Sequence, residues 1–318
     1  MPQGGMRVDS SKTAIIRFAI NHMAAPQLPL PAFFALARAL GLTDVEIRND
    51  IAGQAILDGT PASTVRREAE KAGVTILTIN ALQRFTEWTG AREREAEALA
   101  AYAEACGAEA LILVPTNDGS GMGHGIRQEN LELALRGLKP ILKRHGIMGL
   151  VEPLGFQSCA LRSKREAVEG IRAARGEDQF RVTHDTFHHY LAGEPELFPE
   201  MTGLVHISGV DDPTLSTVAM RDAHRLLVGP DDRLGNIEQI AGLLEYGYAG
   251  PVSFEPFADE LRHLADPAAA IRESMDFIRA QLVSEAASAD APRDRLFRER
   301  RASGKQGRRR TPMRRRSK

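Results

Sequence analysis

The feature of this sequence that most constrains its fold is a regular alternation of short apolar segments with longer amphipathic ones. Eight segments rich in β-branched and aliphatic residues predict strands, and most are followed by stretches whose apolar spacing of three and four predicts helices. The predicted strands are 15–21, 45–48, 74–80, 111–116, 148–153, 180–185, 204–208 and 252–255. Alternation of this kind is typical of α/β proteins with a parallel sheet.

Local signals support several helix boundaries. Pro31 suits the first turn of a helix over PAFFALARALG, because a first-turn residue needs no backbone N–H partner. Gly73 suits the C-terminal cap of PASTVRREAEKAG, where the backbone often turns left-handed. Pro140 falls inside ENLELALRGLKPILKRHG and predicts a kink there.

Two parallel architectures fit this order of elements, an open doubly wound sheet and a closed eight-stranded barrel. An open dinucleotide-binding sheet carries a Gly-rich turn after its first strand, but here the segment is NHMAAPQLPLP and neither GxGxxG nor GxxxxGK[ST] occurs. Eight units also fit the ~250 residues typical of a TIM barrel. We therefore predict a (β/α)8 TIM barrel over 15–285, after a short extension over 1–14, and no nucleotide cofactor.

Charge is distributed unevenly along the chain. Residues 286–318 contain 11 Arg and 2 Lys against three acidic residues, a net charge of +10, so the remaining 28 basic and 39 acidic residues give the body −11. The basic segment is poor in apolar residues and is predicted to be a disordered Arg-rich tail. The acidic body is unlike a nucleic-acid-binding surface, which needs clustered basic residues.

Three negative observations bear on location. No uncharged apolar run reaches the ~18 residues of a membrane span, and the N-terminal segment lacks the apolar region of a secretory signal peptide. Cys106 and Cys159 are isolated from each other in sequence, as is common in a reducing compartment. The expectation is a cytoplasmic protein without a membrane partner.

Acidic and imidazole side chains occur at the ends of the last four predicted strands. They are Glu152, Asp185, His206 and Glu255. Because catalytic groups of TIM barrels lie where the strands end, we expect these four to converge and hold one divalent ion, with Mn, Zn, Mg and Co all compatible. Each alone is more typical of a helix cap, an ion pair or a core histidine. Together, three carboxylates without a cation would cost roughly several kcal/mol in repulsion and desolvation.

Other residues fall near the same predicted rim. Two follow the sixth and seventh strands, two end the second and third strands, and two aromatic residues in the next loop are predicted to wall a sugar-sized pocket. Each also has an ordinary explanation as a loop anchor or a buried aromatic. These six candidate substrate-binding residues are His188, Arg225, Arg48, Asn80, Phe85 and Trp88.

The segments that contain these residues resemble the xylose-isomerase-like superfamily of sugar isomerases and epimerases, and within it the 2-keto-myo-inositol isomerases. They are DVEIRND (44–50), ILTINALQRF (76–85), GLVEPLGFQSCALRSKREAVEGI (149–171), RVTHDTFHHYLAGE (181–194), LVHISGVDD (204–212), MRDAHRLLVGP (220–230) and PVSFEPF (251–257). The resemblance covers roughly 15–280 and implies the same four metal ligands, with His188 and Arg225 touching substrate oxygens. The loop VGPDDRLGN lacks a Gly-x-Gly of the relatives, so the resemblance does not define the shape of the rim there.

The resemblance implies a metal-dependent isomerase of a ketose or inosose. Glu152 and Glu255 would exchange the proton that moves a carbonyl to the adjacent carbon through an enediolate. A ketose 3-epimerase, a hydroxypyruvate isomerase and an inosose dehydratase remain alternatives on the same scaffold. An abasic-site endonuclease is a remote one, because its metal cluster needs extra ligands where strands two to four end in Arg48, Asn80 and Thr116. A non-catalytic sugar-binding protein would not need the four ligands, and homo-oligomer formation is left open.

Overall fold

A closed barrel of eight parallel strands forms the centre of the protein. The computed structural model describes residues 16–53, 56, 58–123 and 125–289. The strands pair in chain order, and Phe18 opposite Val252 closes the barrel. Their bounds are β1 Phe18–Asn21, β2 Asp44–Arg48, β3 Thr75–Leu82, β4 Ala110–Leu113, β5 Met148–Val151, β6 Phe180–Asp185, β7 Thr202–Ile207 and β8 Val252–Phe254. The predicted TIM barrel is confirmed.

Eight α-helices surround the barrel in the described part of the chain. They are α1 Leu30–Ala39, α2 Ala62–Ala72, α3 Gly90–Cys106, α4 Ile126–His145, α5 Lys164–Ala173, α6 Thr186–Ala192, α7 Asn236–Glu245 and α8 Pro267–Ala289. Gly73 ends α2 with a φ of 68°, as predicted for a left-handed cap. Pro140 lies inside α4, which continues to His145. None of the helices described is long and apolar enough to cross a membrane.

The predicted terminal segments lie almost wholly beyond the part of the chain that the structure describes. The extension over 1–14 is outside it, and so is the tail from 290 onward. Residues 286–289 belong to the end of α8.

Alternation along the strands places the polar residues of the barrel interior at one end. Successive residues of a strand point to opposite sides, and the outward positions, such as Val205 and Ile207 of β7, pack in the main hydrophobic core. Leu204 belongs to a second, smaller apolar cluster, together with Ala19 and Leu77. His206, two residues after Leu204, is buried on the same side of β7 nearer the C-terminal end. The interior therefore changes from apolar to polar toward the strand C-termini.

Candidate metal centre

Glu152, Asp185, His206 and Glu255 meet at the C-terminal end of the barrel. Each offers one donor atom, and these four atoms all lie within 4.8 Å of one another. His206 Nδ1 lies 2.8 Å from Glu152 Oε1 and 3.1 Å from Glu255 Oε2. Donors on opposite sides of one ion, at bonds of about 2.1 Å, are about 4 Å apart. The donor set and its span therefore fit a single divalent cation.

The strand ends bring these groups together. Asp185 is the last residue of β6, and His206 lies in β7. Glu152 and Glu255 directly follow β5 and β8. All four side chains are buried, and that of His206 has no exposed area. The site is thus a largely dry one, in which electrostatic interactions are stronger than at the surface.

Two arginines lie among the carboxylates. Arg225 Nη2 donates to Asp185 Oδ2 at 2.6 Å and to Glu255 Oε2 at 3.1 Å. Arg48 Nη1 donates to Glu255 Oε1 at 2.8 Å. The repulsion expected among three carboxylates without a cation is therefore overstated, because two guanidinium groups already offset part of the charge. The donor geometry, rather than the charge, indicates a metal site.

Aromatic rings and neighbouring acids hold these guanidinium groups in place. The Arg225 guanidinium lies 4.5 Å from the centre of the Phe257 ring and 5.2 Å from that of Phe187. Its Nε donates to Ser208 Oγ at 2.9 Å. Arg48 lies 5.2 Å from the Phe257 ring. Such stacking on ring faces stabilises a cation electrostatically.

The two carboxyls predicted to move protons have opposite pKa shifts. Burial raises the pKa of Glu152, Glu255 and Asp185 raise it further, and His206 opposes them only in part. Burial also acts to raise the pKa of Glu255, but His206, Arg225 and Arg48 lower it below its ordinary value. Glu152 is therefore the carboxyl that holds a proton more readily.

A fifth carboxylate, Glu46 of β2, lies on the other side of His206 and was not predicted. Glu46 Oε2 lies 3.1 Å from His206 Nε2. Thr78 Oγ1 donates to the same oxygen at 2.6 Å and Asn80 Nδ2 at 3.0 Å. Ser253 Oγ donates to Glu46 Oε1. Asn80, which was predicted to touch substrate, therefore bonds Glu46. The sequence signal for Glu46 was its place in β2, two residues before Arg48 and so on the same side of the strand.

His188 lies beside the centre on α6. Its backbone N–H donates to Asp185 Oδ1 at 2.9 Å, so the Asp185 side chain caps the helix. Its ring packs edge-on against Phe156 and Phe187. The ring atom Nδ1 is buried and has no hydrogen-bond partner among the described residues. An unpaired buried polar atom is costly, and a ligand oxygen or a water would satisfy it.

Phe85 and Trp88 do not lie at the centre, which corrects the expectation for these two residues. Phe85 is fully buried in the main hydrophobic core. Trp88 packs against the same core. Its indole lies so close to Gly137 of α4 that a Cβ at that position would be only 2.3 Å from the ring. β3 runs to Leu82, beyond its predicted end at 80. Phe85 and Trp88 therefore follow the strand more closely than predicted, and both pack in or against the main hydrophobic core rather than around a pocket.

A pocket of about 440 Å³ opens beside the centre, between the loop after β5 and the loop after β7. Phe156 lines it and packs on His188. Asp222 also lines it and accepts from Arg225 Nη1 at 3.3 Å. Two residues that line the pocket, Phe156 and Asp222, therefore contact His188 and Arg225, which lie beside the carboxylates of the centre.

A buried polar cluster supports α6 near Asp185. Lys164 Nζ lies 3.0 Å from His184 Nδ1 and 2.7 Å from His189 Nδ1. His184 Nε2 lies 2.9 Å from Gln239 Oε1. Burial lowers the pKa of Lys164 to about 8, with Glu194 opposing. Burial and the nearby Lys164 charge lower the pKa of His189 to about 3.

Comparison with known proteins places this geometry in a family. The profile of the xylose isomerase-like TIM barrel matches residues 34–281. The chain belongs to this family. A xylose isomerase domain containing protein from Salmonella typhimurium LT2 is 36% identical, over 88% of this chain and 100% of that one, with a TM-score of 0.77.

Two more distant structures share the fold of this xylose isomerase-like barrel. The IolI protein with a bound zinc atom is 17% identical, over 84% of this chain and 99% of that one, with a TM-score of 0.74. D-psicose 3-epimerase with D-tagatose from Clostridium cellulolyticum H10 is 15% identical, over 84% and 99%, with a TM-score of 0.64. Comparison with curated protein sequences gives no match.

Proposed function

We propose that this protein is a divalent-metal-dependent isomerase or epimerase that acts on a ketose or an inosose. The observation that carries the proposal is the convergence of four donor atoms within 4.8 Å at the C-terminal end of a TIM barrel. Structures of the same fold include one with a bound zinc atom and one with D-tagatose, which is a ketose. A divalent ion held by the four donors would polarise a substrate carbonyl and stabilise negative charge on its oxygen.

The two glutamates supply the proton transfer in this proposal. A carboxylate oxygen takes the proton from the carbon beside the carbonyl, and the electron pair of that C–H bond forms the double bond of an enediolate. The electron pair of the carbonyl π bond moves onto the carbonyl oxygen. In an isomerisation a proton then returns to the former carbonyl carbon, and the hydroxyl proton of the first carbon passes to the former carbonyl oxygen, so the carbonyl now lies on the first carbon. In an epimerisation a proton returns to the first carbon on its opposite face. His206, Arg225 and Arg48 hold Glu255 ionised, which favours it as the acceptor of the proton, whereas burial raises the pKa of Glu152 and favours it as the carboxyl that holds and returns a proton. The oxidation level only moves between adjacent carbons, so no nicotinamide or flavin takes part.

His188 and Arg225 bind substrate oxygens in this proposal. The unpaired Nδ1 of His188 is available to a substrate hydroxyl. The Arg225 guanidinium lies against Asp185 and Glu255, where it would also stabilise negative charge that develops during the reaction. Both residues connect the centre to the adjoining pocket, which is the proposed path for the rest of the substrate.

Among the substrates of this class we favour an inosose. The support is in the sequence, where the segments NAL (80–82) and DAHR (222–225) favour the inositol branch of the family. A ketose 3-epimerase, a hydroxypyruvate isomerase and an inosose dehydratase are the alternatives. A panel of inososes and ketoses, incubated in D₂O and followed by NMR, identifies the substrate by the product formed and by deuterium at the α-carbon.

Replacement of Glu255 by glutamine tests the proton transfer. We expect Glu255→Gln to fold and to lose about 10²–10⁴-fold in kcat, the usual contribution of a positioned acid–base group. The matched control is Asp44→Asn, because Asp44 is a buried carboxylate that pairs with Arg17. That control should retain turnover. Wild-type turnover by Glu255→Gln would refute the role of this carboxyl.

A further inference from the structure

We propose that Glu46 is a positioning residue that orients His206 for metal binding, through a hydrogen bond from His206 Nε2 to the Glu46 carboxylate. The inference rests on the proposed function, because it concerns a centre that holds a metal ion. It adds a residue to that centre that has no contact with the ion or the substrate. In this proposal, Glu46 determines which ring nitrogen of His206 faces the other three donors.

The two ring nitrogens of His206 have different neighbours. Nε2 lies 3.1 Å from Glu46 Oε2. Nδ1 lies 2.8 Å from Glu152 Oε1 and 3.1 Å from Glu255 Oε2. An ionised carboxylate only accepts hydrogen bonds, so Glu46 requires the N–H on Nε2. A metal-binding imidazole is neutral and has one N–H, so an N–H on Nε2 leaves the lone pair of Nδ1 for an ion at the candidate centre.

Glu46 is itself fixed on both carboxylate oxygens. Thr78 and Asn80, from the neighbouring strand β3, donate to Oε2. Ser253, from β8, donates to Oε1. These three donors prevent the carboxylate from rotating away from His206. A partner held in this way is what a metal-binding histidine needs to keep one ring orientation.

The burial of Glu46 argues against a purely structural role. Neither Glu46 nor His206 has exposed area. Removing a carboxylate from water is costly, and an apolar side chain often packs such a position at no loss of stability. A carboxylate with four hydrogen-bonding partners, one of them a candidate ligand, is explained by the orientation that it imposes on that ligand.

The test uses zinc as the probe and the full chain as the protein. Zinc affinity is measured by competition with a chromophoric chelator for wild type, Glu46→Gln and the control Asp44→Asn, which alters another buried carboxylate of β2. We expect Glu46→Gln to bind zinc about 10–100-fold more weakly, the usual effect of losing such a partner. Asp44→Asn should bind zinc as wild type does, even if it unfolds at a lower temperature.

A spectroscopic measurement reports on the orientation directly. In zinc-loaded protein labelled with ¹⁵N-histidine, His206 should carry its proton on Nε2 and bind zinc through Nδ1, with the signal assigned by a His206→Asn variant. Wild-type protein suffices for this readout, so zinc bound through Nε2 would overturn the proposal even if Glu46→Gln does not fold. Loss of the Nε2 proton signature in Glu46→Gln would support the proposal further.

The outcomes separate this inference from the proposed function. Zinc binding through Nε2, or unchanged zinc affinity and an unchanged tautomer in Glu46→Gln, would overturn the role of Glu46 while leaving the centre intact. Zinc affinity that does not change in Glu152→Gln would instead show that the four-residue centre is not the metal site. The proposed function and this inference would then fail together.

Discussion

Replacement of Arg225 by methionine removes the cation that lies closest to the carboxylates of the centre. Arg225 is 1% exposed, and its guanidinium bonds Asp185 at 2.6 Å and Glu255 at 3.1 Å. Methionine fills much of the same volume but leaves both carboxylates without this partner. Breaking a buried ion pair by removing one partner costs about 3–5 kcal/mol. At about 2–4 °C per kcal/mol for a domain near this size, the metal-free variant should melt about 6–20 °C below wild type.

Metal should reverse part of this loss. A divalent ion bound between the same carboxylates supplies the missing positive charge, so saturating Zn²⁺ should narrow the difference between variant and wild type. The assay is thermal and urea unfolding of both proteins with chelator and with Zn²⁺. The control is Arg136→Met, since Arg136 forms an exposed pair with Glu132 that is worth about 0.3–0.5 kcal/mol. A metal-free loss as small as that of the control, or a loss that zinc leaves unchanged, would show that Arg225 does not offset the charge of these carboxylates.

Two further changes test the surroundings of the centre. Because burial lowers the pKa of Lys164 to about 8, the unfolded chain binds more protons at this residue between that pH and its ordinary value near 10.4. Wild type should therefore gain stability relative to Lys164→Met by about 2–3 kcal/mol between pH 7.5 and 10.5, and urea unfolding that shows no such gain would contradict the shift. Phe85→Leu should lower the free energy of unfolding by about 1–2 kcal/mol without changing KM, since Phe85 lies in the core. A raised KM with an unchanged free energy of unfolding would show instead that Phe85 contacts the substrate.

The barrel and the four candidate ligands were predictable because both depend on short-range patterns. Each strand is a short apolar run, and Glu152, Asp185 and Glu255 stand where such a run ends. In a barrel, the ends of consecutive parallel strands meet at one face whatever the details of packing. The predicted convergence therefore needed only the order of the strands, and the donor distances agree with it.

The residues that were missed or misplaced depend on direction and on distant partners. Glu46 stands inside a strand, and its role depends on His206, 160 positions away in sequence. Phe85 is three residues past the end of β3, where no periodicity indicates which way a side chain points. α6, with seven residues, is too short to show a helical repeat, so the cap that Asp185 gives it was not visible.

The compensation of charge at the centre was also beyond the sequence. Arg225 was expected at the rim as a substrate-binding residue, but nothing in the segment between β7 and α7 predicts that its guanidinium stacks on Phe187 and Phe257 and bonds two of the carboxylates. A count of acids alone therefore overstated the repulsion. The tertiary fold decides whether a buried carboxylate has an arginine, a metal or both as partners.

The metal centre is tested most directly by anomalous diffraction at the zinc edge from crystals of the full chain grown with Zn²⁺. We expect one strong anomalous peak per chain, in contact with Glu152, Asp185, His206 and Glu255. A barrel whose zinc peak lies elsewhere, or whose four side chains stay without one at saturating zinc, would contradict this expectation.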